Sequence, residues 1–147
     1  MQDRTGYLIH AIRALLRTRV EDTLRPMGLT PAQFGLLRYI GEHPDLSAAE
    51  LARRSLVKPQ SSHELVSQLE RAGLITRREH PRIGRVLQIS VTSAGSTLIE
   101  RCLPQLATVE DQMLAGFTPR ERAQLSALLQ RAFQNLDVGE GGERTAG

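Results

Sequence analysis

The stretch that decides the fold runs from residue 47 to residue 91: SAAELARRSLVKPQSSHELVSQLERAGLITRREHPRIGRVLQISV. It opens with Ser47-Ala48-Ala49-Glu50, a capping box in which serine serves the third backbone N–H and glutamate reaches back to the serine's own. A short helix with Leu51 and Ala52 follows, and residues 55–57 turn the chain. Pro59 suits the first turn of a second helix, predicted to run to Ala72 with Ser62, Leu65, Val66 and Leu69 on its buried stripe. Gly73 ends it. Residues 74–78 and 86–91 read as short strands, Leu87, Ile89 and Val91 alternating with Gln88 and Ser90. Between them, His80-Pro81-Arg82-Ile83-Gly84-Arg85 has the composition of a polar hairpin tip.

The flanking sequence adds helices on both sides. Residues 6–25 carry Leu8, Ile12, Leu15, Leu16, Val20 and Leu24 at helical spacing, and Pro26 stops them. Thr30-Pro31-Ala32-Gln33 starts another helix with Phe34, Leu37, Tyr39 and Ile40, which ends between Gly41 and Pro44. Residues 94–115 place Leu98, Cys102, Leu106, Val109 and Met113 on one stripe, with Pro104 predicting a kink. Thr118-Pro119-Arg120-Glu121 opens a last helix with Leu125, Leu128, Leu129, Ala132, Phe133 and Leu136, and residues 137–147 read as a frayed tail.

Composition narrows the function classes. The chain has 147 residues, 40% hydrophobic and 24% charged, as expected of one ordinary globular domain. No apolar run reaches the roughly 20 residues of a membrane helix, and no secretory signal is visible. The single cysteine, Cys102, excludes an internal disulfide and fits a cytoplasmic location. The formal net charge is only +3, yet residues 53–85 hold eight basic residues against three acidic ones. Such concentration suits a phosphate-binding face. His10, His43, His63 and His80 are scattered without metal-ligand spacing. No nucleophile elbow, phosphate loop or paired-carboxylate motif occurs, so neither an enzyme nor a cofactor or metal is expected.

A short helix, turn, helix and basic hairpin in that order is the pattern of a winged helix-turn-helix. The second helix would enter the major groove, offering Gln60, Ser61, His63, Glu64, Ser67, Gln68 and Arg71 as hydrogen-bonding groups. The apolar stripes at 8–24, 98–113 and 125–136 exceed what one small lobe covers, which predicts a two-fold dimer reading a pseudo-palindrome.

The segments LTPAQFGLLRYI, LSAAELARRSLVKPQSSHELVSQLERAGLITR, HPRIGRVLQISVTSAG and FTPRERAQLSALL together resemble the MarR family of transcriptional regulators over about residues 8–136. The resemblance implies a mainly α fold with a small β-hairpin wing. It implies a single domain over 1–147, with the winged lobe at about 30–92, dimerisation helices at about 5–26 and 94–136, and a tail at 137–147. It also implies a ligand-released repressor on the bacterial nucleoid, acting on double-stranded DNA as a homodimer, with a small aromatic or anionic effector. Candidate DNA-contacting residues are Ser47, Lys58, Gln60, Ser61, His63, Glu64, Ser67, Arg71, Arg77, Arg82 and Arg85. Candidate effector contacts are Tyr7, His10, Arg13, Phe34 and Arg38.

The chain departs from the family pattern in three places. The wing commonly reads D-P-R-D-R-R; here Arg82 is kept but His80 and Ile83 replace both aspartates. Lys58 stands where the family places a serine cap, and Glu64 where a basic residue is common. Two other functions compete on residues: a winged helix used as a protein–protein module, and a redox-responsive regulator built on Cys102.

Overall fold

The computed structural model describes residues 4–137 other than 45, 55–58, 80, 81, 83 and 85; the side chains of 52, 54, 59 and 60 are also left aside. The order is α1 (Arg4–Leu24), a single 3-10 turn (Arg25–Met27), α2 (Pro31–Glu42), α3 (Ala48–Arg54), α4 (Pro59–Arg71), β1 (Ile75–Glu79), β2 (Leu87–Val91), α5 (Ser93–Met113) and α6 (Pro119–Asp137). The chain divides into two compact units, Met1–Val109 and Glu110–Gly147.

The three capping boxes form as their sequences dictate. Thr30 Oγ1 accepts from Gln33 N at 3.2 Å while Gln33 Oε1 accepts from Thr30 N at 3.0 Å. Ser47 and Glu50 exchange the same pair at 3.1 and 3.2 Å. Thr118 and Glu121 do so at 3.2 and 2.8 Å. Each box satisfies two backbone donors that the helix start leaves unpaired, which fixes where α2, α3 and α6 begin. α4 ends at Gly73, whose φ of 75° lies in the left-handed region. Gly73 N then reaches Glu70 O, and Leu74 N reaches Leu69 O, both at 3.0 Å.

In the first unit, α2, α3, α4 and the hairpin close around one core. Leu37, Ile40, Leu51, Leu69 and Ile89 are fully buried, joined by Leu24 and Cys102 from the helices on either side. Burying one such leucine contributes about 1.5–3 kcal/mol, so this cluster holds the helix-turn-helix at a fixed angle to the wing. β1 and β2 are antiparallel with Ile75 opposite Val91 and Arg77 opposite Ile89. A short bridge, which the sequence does not announce, lies along the other edge of β2: Ile89 N donates to Leu46 O at 3.1 Å, and Ser47 bridges Gln88.

The apolar patterns of the sequence meet the core only in part. Leu87 lies opposite Glu79 at the outer end of the hairpin and is exposed, because the core stops at Ile89. Met113 is also exposed. α5 continues as one helix across Pro104, and Thr108 Oγ1 donates to Pro104 O at 3.1 Å. On α1 Leu24 alone of the stripe is buried, while Leu8, Ile12 and Leu15 are exposed, Leu15 by 70%, in keeping with a stripe that one lobe does not cover.

The second unit is the end of α5 and α6. Arg122 donates to Asp111 Oδ1 at 2.9 Å and to Leu114 O at 3.4 Å, fastening α6 to the last turn of α5. No described residue of α6 is buried.

Candidate nucleic-acid interface

The interface is built on α4 and the hairpin that follows it. The buried side of α4 is Ser62, Val66 and Leu69, with Leu65 half-buried. The opposite side leaves Ser61, His63, Glu64 and Arg71 exposed. These side chains can donate to or accept from base edges or phosphates. Ser67 is half-buried and returns its hydroxyl to His63 O at 3.0 Å. Arg71 Nε lies 3.4 Å from Ser67 O.

Arg77 is half-buried against α4, its Nε 2.9 Å from Glu70 Oε2. The Nε–H has no aligned acceptor, so the contact is one of charge rather than a directed hydrogen bond. Arg77 thus faces inward and braces the hairpin. Arg78, one residue on, is the exposed cation of β1, on the hairpin's outer side with Thr76 and Ser90. Alternation along the strand is the sequence signal that separates these two arginines. Arg82 is exposed between the strands.

Ser47 has a structural task, capping α3 and bridging β2. Gln68, on the polar face of the helix but not among the candidate contacts, accepts from Gln33 Nε2 at 2.9 Å. Lys58, Arg85 and the side chain of Gln60 lie outside the described residues.

The effector candidates are distributed differently. Tyr7, His10 and Arg13 are exposed at three-residue intervals on α1. Phe34 is a core residue, 6% exposed, and Arg38 pairs with Glu42 at 2.8 Å on the surface of α2. Cys102 is 0% exposed, with its thiol 3.1 Å from Met27 Sδ. Burial pushes the Cys102 thiol above its ordinary range, against a smaller opposing pull from Arg101. That disfavours a redox sensor, which needs an accessible thiolate. Among the described residues no three His, Cys, Asp or Glu side chains gather as a metal site, and no helix is long and apolar enough to cross a membrane.

A tri-helical lobe with an exposed polar third helix and an antiparallel hairpin behind it defines a winged helix-turn-helix protein. The MarR family model matches residues 27–86, from the turn before α2 to the start of β2. A transcriptional repressor of Mycobacterium tuberculosis, Rv2887, is 33% identical over 126 residues, covering 86% of this chain and 91% of its own. The crystal structure of the same mycobacterial protein in complex with salicylic acid superposes with a TM-score of 0.72 at 32% identity, over 89% of this chain and 97% of that one. Apo MarR of Escherichia coli shares the fold, with a TM-score of 0.76 at 22% identity over 90% of this chain and 98% of its own. The chain belongs to the MarR family.

Proposed function

We propose that the chain is a transcriptional repressor that binds a pseudo-palindromic operator as a homodimer and releases it on binding a small aromatic or anionic effector. The observation that carries this reading is the exposed polar face of α4 beside a hairpin bearing Arg78 and Arg82. Side chains on a helix that fits the major groove supply base contacts, and cations on an adjoining wing supply affinity to phosphate and minor groove. The repressor relative in Mycobacterium tuberculosis supports it and counts against a protein–protein module. Action on the bacterial nucleoid, in the cytoplasm, is part of the same reading.

The homodimer rests on apolar surface that each unit leaves bare. On α1 these are Tyr7, Leu8, Ile9, Ile12 and Leu15; on α6 they are Leu128, Leu129, Phe133 and Leu136. A second copy covering them removes two apolar stripes from water and brings two α4 helices into two-fold relation. The effector class is supported by the salicylic acid held by the mycobacterial relative. Arg13 offers an exposed guanidinium to such a carboxylate, whereas at Arg38 the ligand must displace Glu42.

Sequencing the genomic fragments that the purified protein retains tests the reading. One enriched pseudo-palindrome with half-sites about 10 base pairs apart supports it. Retention of all fragments alike, or of none, overturns it. Adding salicylate as a probe then tests release, since ligand and operator must weaken each other by the same factor.

A further inference from the structure

A chain of amide contacts runs from the start of α2 to the exposed face of α4. Thr30 N–H donates to Gln33 Oε1 at 3.0 Å. With that oxygen committed to a backbone donor, the Gln33 amide nitrogen turns to the other side and donates to Gln68 Oε1 at 2.9 Å. Gln68 then has its own nitrogen to present onward, and this lies 3.4 Å from Glu64 Oε1. A carboxamide is nearly symmetric in shape and opposite in charge at its two ends, so either glutamine alone could reverse at little steric cost. The Thr30 backbone cannot reverse. It sets the sense of the whole chain, which ends in an N–H facing the Glu64 carboxylate.

Glu64 is exposed on the face of α4 that reads bases in the function proposed above, on which this inference rests. A carboxylate there is repelled by phosphate and accepts from an exocyclic amine in the major groove; cytosine N4 suits it better than adenine N6, whose neighbouring N7 acceptor repels a carboxylate. A glutamate left to itself spreads over many rotamers; a donor one turn along the helix narrows them. We infer that Gln33 is a positioning residue for base recognition. Acting through Gln68, it holds Glu64 as a fixed acceptor and gives the protein a preference for cytosine at one position in each half-site. Gln33 contacts no DNA in this arrangement.

Two substitutions reverse the chain without removing it. Gln33→Glu keeps an acceptor for Thr30 N–H, so the capping box survives. It replaces the donor facing Gln68, which must turn its nitrogen back and leave its oxygen toward Glu64. Gln68→Glu keeps the acceptor for Gln33 and sets a carboxylate oxygen against Glu64 directly. The measurement is the position-resolved base preference in DNA selected from a random pool by the full-length protein, with Glu64→Ala as reference. Preference at each position is a ratio between bases, so the uniform repulsion of an added negative charge cancels from it.

The expected result is loss of an about tenfold cytosine preference at one position per half-site in all three variants, every other position keeping its preference. Gln33→Glu added to Glu64→Ala changes no position further, as required when one residue acts only through another. The inference is overturned if Glu64→Ala leaves every position unchanged. It is overturned equally if Gln33→Glu retains the cytosine preference, or blurs all positions alike as a merely structural defect would. Should Gln33→Glu fail to fold, Gln68→Glu on the half-buried face of α4 supports or overturns the inference by the same criteria. A wild-type protein that selects no sequence removes the DNA-reading function itself, an outcome seen before any variant is made.

Discussion

The Glu70 carboxylate and the Arg77 guanidinium, 2.9 Å apart, tie the last turn of α4 to the first strand of the wing. His80 and Ile83 stand where the family's wing pattern has aspartates. The Glu70–Arg77 pair braces the hairpin from its root. Glu70→Ala leaves a half-buried cation without its partner. Exposed pairs contribute up to about 1 kcal/mol and fully buried ones cost about 3–5 kcal/mol when broken, so an intermediate loss of about 1–2 kcal/mol is expected. Urea unfolding measures it, and a loss below a few tenths would show that the wing is held by the sheet alone.

Gly95 explains the V-T-x-x-G signature at residues 91–95. A Cβ there would collide with the Leu74 carbonyl oxygen and with Val91 Cγ1. Since the obstacle includes backbone, the chain cannot give way cheaply, and Gly95→Ala is expected to destabilise the first unit by about 3 kcal/mol. Gly41→Ala is the control: its Cβ would meet only ordinary contacts at 3.5 and 3.6 Å. Thermal midpoints of the two variants should differ widely; equal midpoints would mean that α5 shifts freely against the hairpin.

The wing and the helix should separate in their response to salt. Arg82→Ala is expected to weaken binding to all DNA and lower the salt slope by about one unit per subunit. His63→Ala is expected to relax one position in each half-site, costing about 1–3 kcal/mol against the correct base with the salt slope kept. Affinities over a salt series, on the operator and on scrambled DNA, distinguish these outcomes.

Cys102 should be chemically silent in the native protein. Its thiol holds its proton more tightly folded than unfolded because burial penalises the thiolate. The folded state therefore keeps a proton that the unfolded chain gives up, and the associated stability is present below the ordinary thiol value of 9.0 and lost as pH rises through the elevated folded one. Cys102→Ala should flatten the fall in stability above about pH 9. Alkylation of the wild type should wait for unfolding, and rapid labelling at neutral pH would contradict the burial.

Leu15 and Phe133 test the dimer from both ends of the chain, being 70% and 59% exposed on α1 and α6. A glutamate at either position is expected to leave the monomer folded and shift sedimentation to the single-chain mass at micromolar concentration. Operator affinity should fall with it.

Much of this is legible in residue order, for reasons that differ by element. All three capping boxes announce themselves because their chemistry is local, four residues deep. Ser62, Val66 and Leu69 reveal the inner side of α4 by period alone. What period cannot give is where a buried stripe stops. Leu8, Ile12 and Leu15 have the same spacing as Leu24, yet only Leu24 meets the core. Alternation puts the adjacent Arg77 and Arg78 on opposite faces, and the register opposite Ile89 settles that the first is the one turned inward. The Gln33–Gln68 bond joins residues 35 positions apart, and neither side chain signals the other. Phe34 enters as an effector contact through the family resemblance alone, and its place in the core is set by packing that no local pattern announces.

One hydroxyl fastens the root of the wing. Thr92 Oγ1 donates to Gly73 O at 2.6 Å and accepts from Gly95 N at 3.1 Å, while Thr92 N reaches Leu74 O at 3.0 Å. The exit of α4, the end of β2 and the entry of α5 therefore share a single knot. In hydrogen-exchange terms the amides of Thr92 and Gly95 are expected to open as one unit with Leu74, whose own amide is bonded back to Leu69. Their protection should rise and fall together under mild denaturant. A signal that moves α5 then reaches the end of the reading helix through three bonds, without passing along the hairpin at all.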